Sequence, residues 1–125
     1  CFRMNSNELS TEEFYKTPVI TFVFNNHRLG MVRQWQNLFY GQRYSATVLN
    51  DAVDFVKLAE AMGAEGVRVA TQEEFKEAFA KALKSGHPVV IDCQIDSDDK
   101  VWPMVNPGGS IEDAFDKSDL EAQAR

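Results

Sequence analysis

The run VITFVF, Val19 to Phe24, is apolar or β-branched at every position. That is the pattern of a strand covered on both faces in a parallel sheet, with no wet face. Before it, Asn5 or Ser6 can cap a helix running through Lys16, with Ser10 as a competing cap because Glu13 follows three residues on. Pro18 ends that segment. From Gly30 to about Tyr40 the sequence suits a helix, with Met31, Gln34, Trp35 and Leu38 on one side. Residues 41 to 52 carry little periodicity and predict an irregular loop, a candidate for mobility. Asp54 to Met62 is helical, with Phe55, Leu58, Ala59 and Met62 on one stripe and Gly63 as its C-cap. Val67 to Ala70 predicts a short strand. Thr71 then caps a helix whose Phe75, Ala78, Phe79, Ala82 and Leu83 form an apolar face closed by Gly86. PVVIDCQI, Pro88 to Ile95, is the third strand, and Asp96 to Lys100 reads as a solvated turn.

The order helix, strand, helix, helix, strand, helix, strand is that of an α/β domain: a narrow, partial parallel sheet flanked by helices, with right-handed crossovers. A length of 125 residues, 44% apolar and 26% charged, suits a single domain with one core. The net charge of -6 and scattered basic residues argue against nucleic acid, whose recognition needs clustered Lys and Arg. Two cysteines, Cys1 and Cys93, fit neither a disulfide framework nor a zinc site. No stretch approaches the roughly 18 apolar residues of a membrane span. Residues 1 to 17 lack the basic start and apolar centre of a signal peptide. A cytoplasmic location without membrane partners is the expectation.

The chemistry concentrates where the first strand ends, at NNHRLG, Asn25 to Gly30. Ligands of open α/β sheets bind beyond the carboxyl ends of the strands. An asparagine oxygen is a neutral hard ligand suited to Mg²⁺, which is commonly shared with substrate phosphates. Gly30 would allow close backbone approach, and the amides opening the next helix would favour an anion. The competing reading is that Asn25 and Asn26 only shape a turn. Met31 and Trp35, four residues apart, share a helix face, and spacing alone favours core packing. His27 and His87 read as solvated surface residues. PMVNPGGS, Pro103 to Ser110, has the composition of a loop able to fold over a site.

VFNNHRLGMVRQWQNLFY, DFVKLAEAMGAEGVRV and PVVIDCQIDSDDKVWPMVNPGG together resemble acetolactate synthase, also called acetohydroxyacid synthase, in its catalytic subunit. The likeness runs from Cys1 to about Phe115, and GMVRQWQ is its most specific part. It implies a thiamine diphosphate enzyme that decarboxylates pyruvate and joins the two-carbon unit to pyruvate or 2-ketobutyrate, in branched-chain amino acid biosynthesis.

By that resemblance Asn26 is the side-chain metal ligand, Arg28 supplies a backbone carbonyl, and Asn25 holds the turn. Cys1 touches the diphosphate through its main chain, Gly30 and Met31 belong to the cofactor site, and Met31 lies near the thiazolium. Trp35 lines the pocket of the second keto acid, while Gln34 and Phe39 are left to packing. Met104, Gly108 and Gly109 are lid candidates within a tail of about residues 103–125. The motif's opening Gly-Asp-Gly is not in the chain and is expected just before Cys1. The acidic metal ligand, the activating glutamate and the FAD-binding domain also lie outside it, so no catalytic residue is assigned here. Residues 1–125 then form the later part of a thiamine diphosphate-binding (PP-type) domain, the last quarter of a longer subunit and inactive alone, with a sheet edge awaiting missing strands. The expected partners are the rest of the subunit, further copies in a homodimer or tetramer, and a regulatory small subunit. Two alternatives stand beside this: another carboligase or decarboxylase of the superfamily, such as glyoxylate carboligase or sulfoacetaldehyde acetyltransferase, and a non-catalytic α/β module.

Overall fold

The computed structural model describes residues 2–50 and 52–123. The elements, in chain order, are α1 (Phe2–Asn5), α2 (Glu8–Phe14), β1 (Ile20–Asn25), α3 (Gly30–Phe39), α4 (Phe55–Ala61), β2 (Glu65–Val69), α5 (Gln72–Ser85), β3 (Val89–Gln94), a 3-10 turn (Ile111–Asp113) and α6 (Lys117–Gln123). The sheet is parallel with order β1-β3-β2. In its register Asn25 lies opposite Gln94, and both Val23 and Arg68 lie opposite Asp92. The α/β class and the three-stranded sheet thus agree with the expectation from sequence.

The chain divides into two compact units, Cys1–His27 with Asn50–Asp96, and Arg28–Leu49 with Ser97–Arg125. The first unit holds the sheet. On one face Leu9, Val23, Phe55, Ala59, Ala64 and Val90 pack together; on the other Val69, Ala78, Ala82, Val89, Ile91 and Cys93 do. Alternation along β3 sends Val90 to one cluster and Ile91 to the other, so this central strand is buried from Val89 to Cys93.

Local chemistry sets the helix ends. The Asp54 carboxylate accepts from the amides of Val56 and Lys57 at the start of α4. Thr71 and Glu74 form a reciprocal capping box on α5, and Gly86 closes that helix at φ +72°.

Four expectations are corrected. The segment Asn5–Lys16 forms two short helices with a break at Ser6 and Asn7, and Ser10 lies inside α2 where it caps nothing. β1 is not covered on both faces: Val23 is buried, but Phe24 is 72% exposed and Phe22 is part-exposed beside Phe75 and Phe79. A strand at the sheet edge has neighbours on one side only, so an apolar run alone overstates its burial. Leu83 is 64% exposed, leaving α5 to pack through Phe75, Ala78, Phe79 and Ala82. His27 is half-buried, with its Nε2 2.9 Å from Gln94 Oε1, where solvation was expected.

Candidate functional site

The sequence-predicted site residues fall on both units. Asn26 belongs to the first; Arg28, Gly30, Met31, Trp35, Met104, Gly108 and Gly109 belong to the second. Cys1 lies outside the described residues.

On the first unit the β1 run ends in a turn whose geometry is set by hydrogen bonds. Asn25 Oδ1 accepts from the His27 amide at 3.2 Å, while Asn25 Nδ2 donates to Asp92 Oδ1 at 2.9 Å. His27 takes φ +56°, in the left-handed region. Asn25 therefore holds the turn, as expected, and Asn26 is the half-buried residue at its apex. Asp92 is fully buried and also accepts from Arg68 Nε at 2.9 Å, and Arg68 reaches Asp54 at 3.0 Å. Hydrogen bonds from the Lys57 amide, with help from Arg68 and the Val56 amide, hold the Asp54 carboxyl below its ordinary range. Burial pushes the neighbouring Cys93 thiol up.

Asp92, Arg68 and Gln94 were not singled out from sequence. The signal was present: an aspartate inside VVIDCQ is a carboxylate within a buried strand, and such a group must be paired.

On the second unit α3 begins after Leu29 without a side-chain cap, and its first turn contains no acidic residue. The contrast with α5, whose amino end is closed by Thr71 and Glu74, is direct. A helix start left in this state presents amides and positive dipole to an anion. Met31 is half-exposed, and together with Val32, Trp35, Phe39 and Tyr40 it lines an open apolar groove of about 730 Å³. The Met31–Trp35 face is therefore only partly covered among the described residues: Met31 is exposed, while Trp35 is half-buried against Phe39. Gln34, by contrast, is buried and belongs to packing.

Within the loop of residues 41–52, Tyr44 and Ser45 contact α3. Gln36 exchanges two hydrogen bonds with the Ser45 main chain, Asn37 donates to Tyr44 Oη, and Arg33 lies 4.0 Å from the centre of the Tyr44 ring. Asp96–Lys100 is likewise more than a solvated turn. Asp98 accepts from Arg33 Nε at 2.6 Å, and this bond holds its carboxyl below the ordinary range. Among the lid candidates, Met104 is buried and shares two backbone hydrogen bonds with Phe115, whose ring meets Phe39 and Trp102. Gly108 takes φ +78° and Gly109 donates to the Asn106 carbonyl, so both lie in a tight turn. No group of three or more His, Cys, Asp or Glu side chains suited to a metal occurs among the described residues, and none of their helices is long and apolar enough to cross a membrane.

Residues 1–93 match the family described as "Thiamine pyrophosphate enzyme, C-terminal TPP binding domain", and the chain belongs to that family. Within it the similarity is to acetolactate synthases. The chain is 46% identical over 110 residues to the probable acetolactate synthase large subunit of Methanocaldococcus jannaschii, covering 88% of this chain and 18% of that protein. It is 40% identical over 116 residues to the acetolactate synthase isozyme 2 large subunit of Escherichia coli, covering 93% of this chain and 21% of that one. Among solved structures, benzoylformate decarboxylase from Polynucleobacter necessarius superimposes with a TM-score of 0.73 at 29% identity, over 81% of this chain and 19% of that chain. The chain thus spans about a fifth of the length of these relatives.

Proposed function

We propose that the chain is the diphosphate-binding part of an acetolactate synthase catalytic subunit, which decarboxylates pyruvate and condenses the two-carbon unit with pyruvate or 2-ketobutyrate. The observation that carries this reading is the sequence NNHRLGMVRQWQ folded as strand end, turn and uncapped helix start. The residue types support the cofactor: by the family likeness Asn26 of the first unit would offer a neutral oxygen for Mg²⁺, and on the second unit Arg28 would offer a carbonyl and the opening amides of α3 would suit a diphosphate. Thiamine diphosphate, when bound, supplies a carbon nucleophile and an electron sink for decarboxylation. This chain's residues bind and orient. Gly30 and Met31 stand at the start of α3, and Trp35 offers an apolar wall for the second keto acid. Met104, Gly108 and Gly109, in the tail from about residue 103, are lid candidates.

The remaining parts of the reading are FAD bound by another domain, association as a homodimer or tetramer, a regulatory small subunit, a role in branched-chain amino acid biosynthesis, and a cytoplasmic location. The rest of the catalytic subunit, with the acidic metal ligand and the activating glutamate, is the first partner. The likeness to benzoylformate decarboxylase and to a 4-hydroxybenzoylformate decarboxylase of Rhodococcus jostii supports a second reading as a decarboxylase of the same class. Product analysis of the full-length protein with pyruvate separates them. Acetolactate formation dependent on thiamine diphosphate and Mg²⁺ is expected. A free aldehyde without a condensation product would overturn the synthase reading, and no reaction of any 2-keto acid would overturn both.

A further inference from the structure

We infer that Asp92 is a positioning residue for the metal-binding turn, setting the Asn25 amide and through it the presentation of Asn26; this rests on the reading of Asn26 as a metal ligand. The argument is one of hydrogen-bond polarity. Asn25 stands between the Asp92 carboxylate, which can only accept, and the His27 N–H, which can only donate. Only one orientation of the amide satisfies both: Nδ2 toward Asp92 and Oδ1 toward the His27 amide. Asp92 is itself fixed, because it is fully buried on the central strand and its other oxygen accepts from Arg68. Two residues on, Gln94 lies 2.9 Å from the His27 ring. β3 therefore holds both neighbours of Asn26, one through Asp92 and one through Gln94. An outer partner that fixes a ligand-bearing turn matters for a cation such as Mg²⁺, which tolerates little departure from octahedral geometry.

The polarity argument makes a swap possible. Asp92→Asn places an NH₂ group before either Asn25 or Arg68. Facing Arg68 it meets a cation, so it should face Asn25, whose amide must then rotate and present its own NH₂ to the His27 N–H. Asn25→Asp alone sets two carboxylates against each other. Combining the two restores every bond, with donor and acceptor exchanged only between positions 25 and 92: the amide introduced at position 92 would donate to the carboxylate introduced at position 25 and keep its oxygen toward Arg68, while the second oxygen at position 25 accepts from the His27 amide.

The test is a Mg²⁺ titration of the full-length synthase in the presence of thiamine diphosphate, read by intrinsic fluorescence and not by turnover. Asp92→Asn and Asn25→Asp are each expected to weaken Mg²⁺ binding by about tenfold or more. The double variant should return to within about threefold of the parent, since a swap of this kind measures coupling between the two groups. Glu74→Gln is the control for general loss of structure: it touches the Ala70 and Thr71 amides at the α5 cap but neither Arg68 nor the turn, so Mg²⁺ binding should not change. An unchanged titration for Asp92→Asn, equal weakening by Glu74→Gln, or a folded double variant without recovery would overturn the inference. If Asp92→Asn alone does not fold, recovery of Asn25→Asp by the second change carries the test. Asn26→Ala separates the two levels: if it leaves Mg²⁺ binding intact, the ligand reading and the inference both fall, whereas if it weakens binding and Asp92→Asn does not, only the inference falls.

Discussion

Gln34 and Val101, 67 positions apart, form a two-way amide pair: Gln34 Nε2 donates to the Val101 carbonyl and the Val101 amide donates to Gln34 Oε1, both at 2.8 Å. The side chain, 4% exposed, behaves as a piece of backbone and ties residues 97–125 to α3 within the second unit.

Gln34→Ala would remove both hydrogen bonds to the Val101 main chain, at a cost of about 0.5 to 1.5 kcal/mol for each bond. The expected result in the full-length protein is faster amide exchange at Val101 and the residues after it. Exchange over α5 should not change. Unaltered exchange at Val101 would show that the segment is held by Met104 and Phe115 alone.

The acid limb of stability follows from the α5 cap. Amides of Ala70 and Thr71 donate to Glu74 and lower its carboxyl below the ordinary 4.5. A carboxyl lowered in the folded state contributes stability that is fully present above its unfolded value and is lost as pH falls through the folded one. Glu74→Gln removes that titration. Between neutral pH and the region below 4.5, its urea midpoint should therefore fall less than that of the parent chain. Identical acid limbs would mean that the cap is absent in solution.

Gly66 is a contact point between β2 and α4. A Cβ there would stand 2.8 Å from the Val56 carbonyl oxygen and 2.9 Å from Val56 Cα, both main-chain atoms that cannot swing aside. Gly66→Ala should destabilise the chain by about 1 to 3 kcal/mol through overpacking. Gly86→Ala, where the added methyl meets nothing within 4 Å but φ is +72°, should act only through backbone strain. A shift of the urea midpoint for Gly66→Ala no larger than that for Gly86→Ala would contradict the packing.

The sequence was most informative where local chemistry decides the outcome. Thr71 and Gly86 bracket α5 as read, because caps depend on residues a few positions apart; Glu74 and the Asp54 cap of α4 are equally local but were not singled out. It was least informative where partners are distant. Nothing near β1 says that Phe24 stands at an open edge, and no local pattern joins Asn25 to Asp92, 67 positions away. The site divides in the same way. Asn25 and Asn26 could be read from the end of an apolar run, and GMVRQWQ from family resemblance. The supporting Asp92, Gln94 and Arg68 become visible only when β3 lies between the other two strands. Met31 and Trp35 show the limit of spacing, since a shared helix face looks the same whether core or ligand covers it.

Trp35 carries the most specific functional prediction. Its ring stands edge-on to Phe39, with centroids 5.5 Å apart, and shares an open apolar groove with Met31. In the proposed reaction the acceptor keto acid is pyruvate, with a methyl group, or 2-ketobutyrate, with an ethyl group, and a flat indole wall would gain contact with the additional methylene. One methylene in an apolar pocket is worth about 1 to 3 kcal/mol, or roughly 10- to 200-fold in selectivity. Trp35→Leu in the full-length synthase should therefore reduce the preference for 2-ketobutyrate by about tenfold or more, because the shorter side chain withdraws most of that contact. Consumption of the first pyruvate should change little, since it reacts before the acceptor enters. Competition between the two acceptors, read as the ratio of acetohydroxybutyrate to acetolactate, measures the effect directly. An unchanged ratio in a folded, active variant would assign Trp35 to packing against Phe39, and equal loss of both products would point to placement of the cofactor instead of the choice of acceptor.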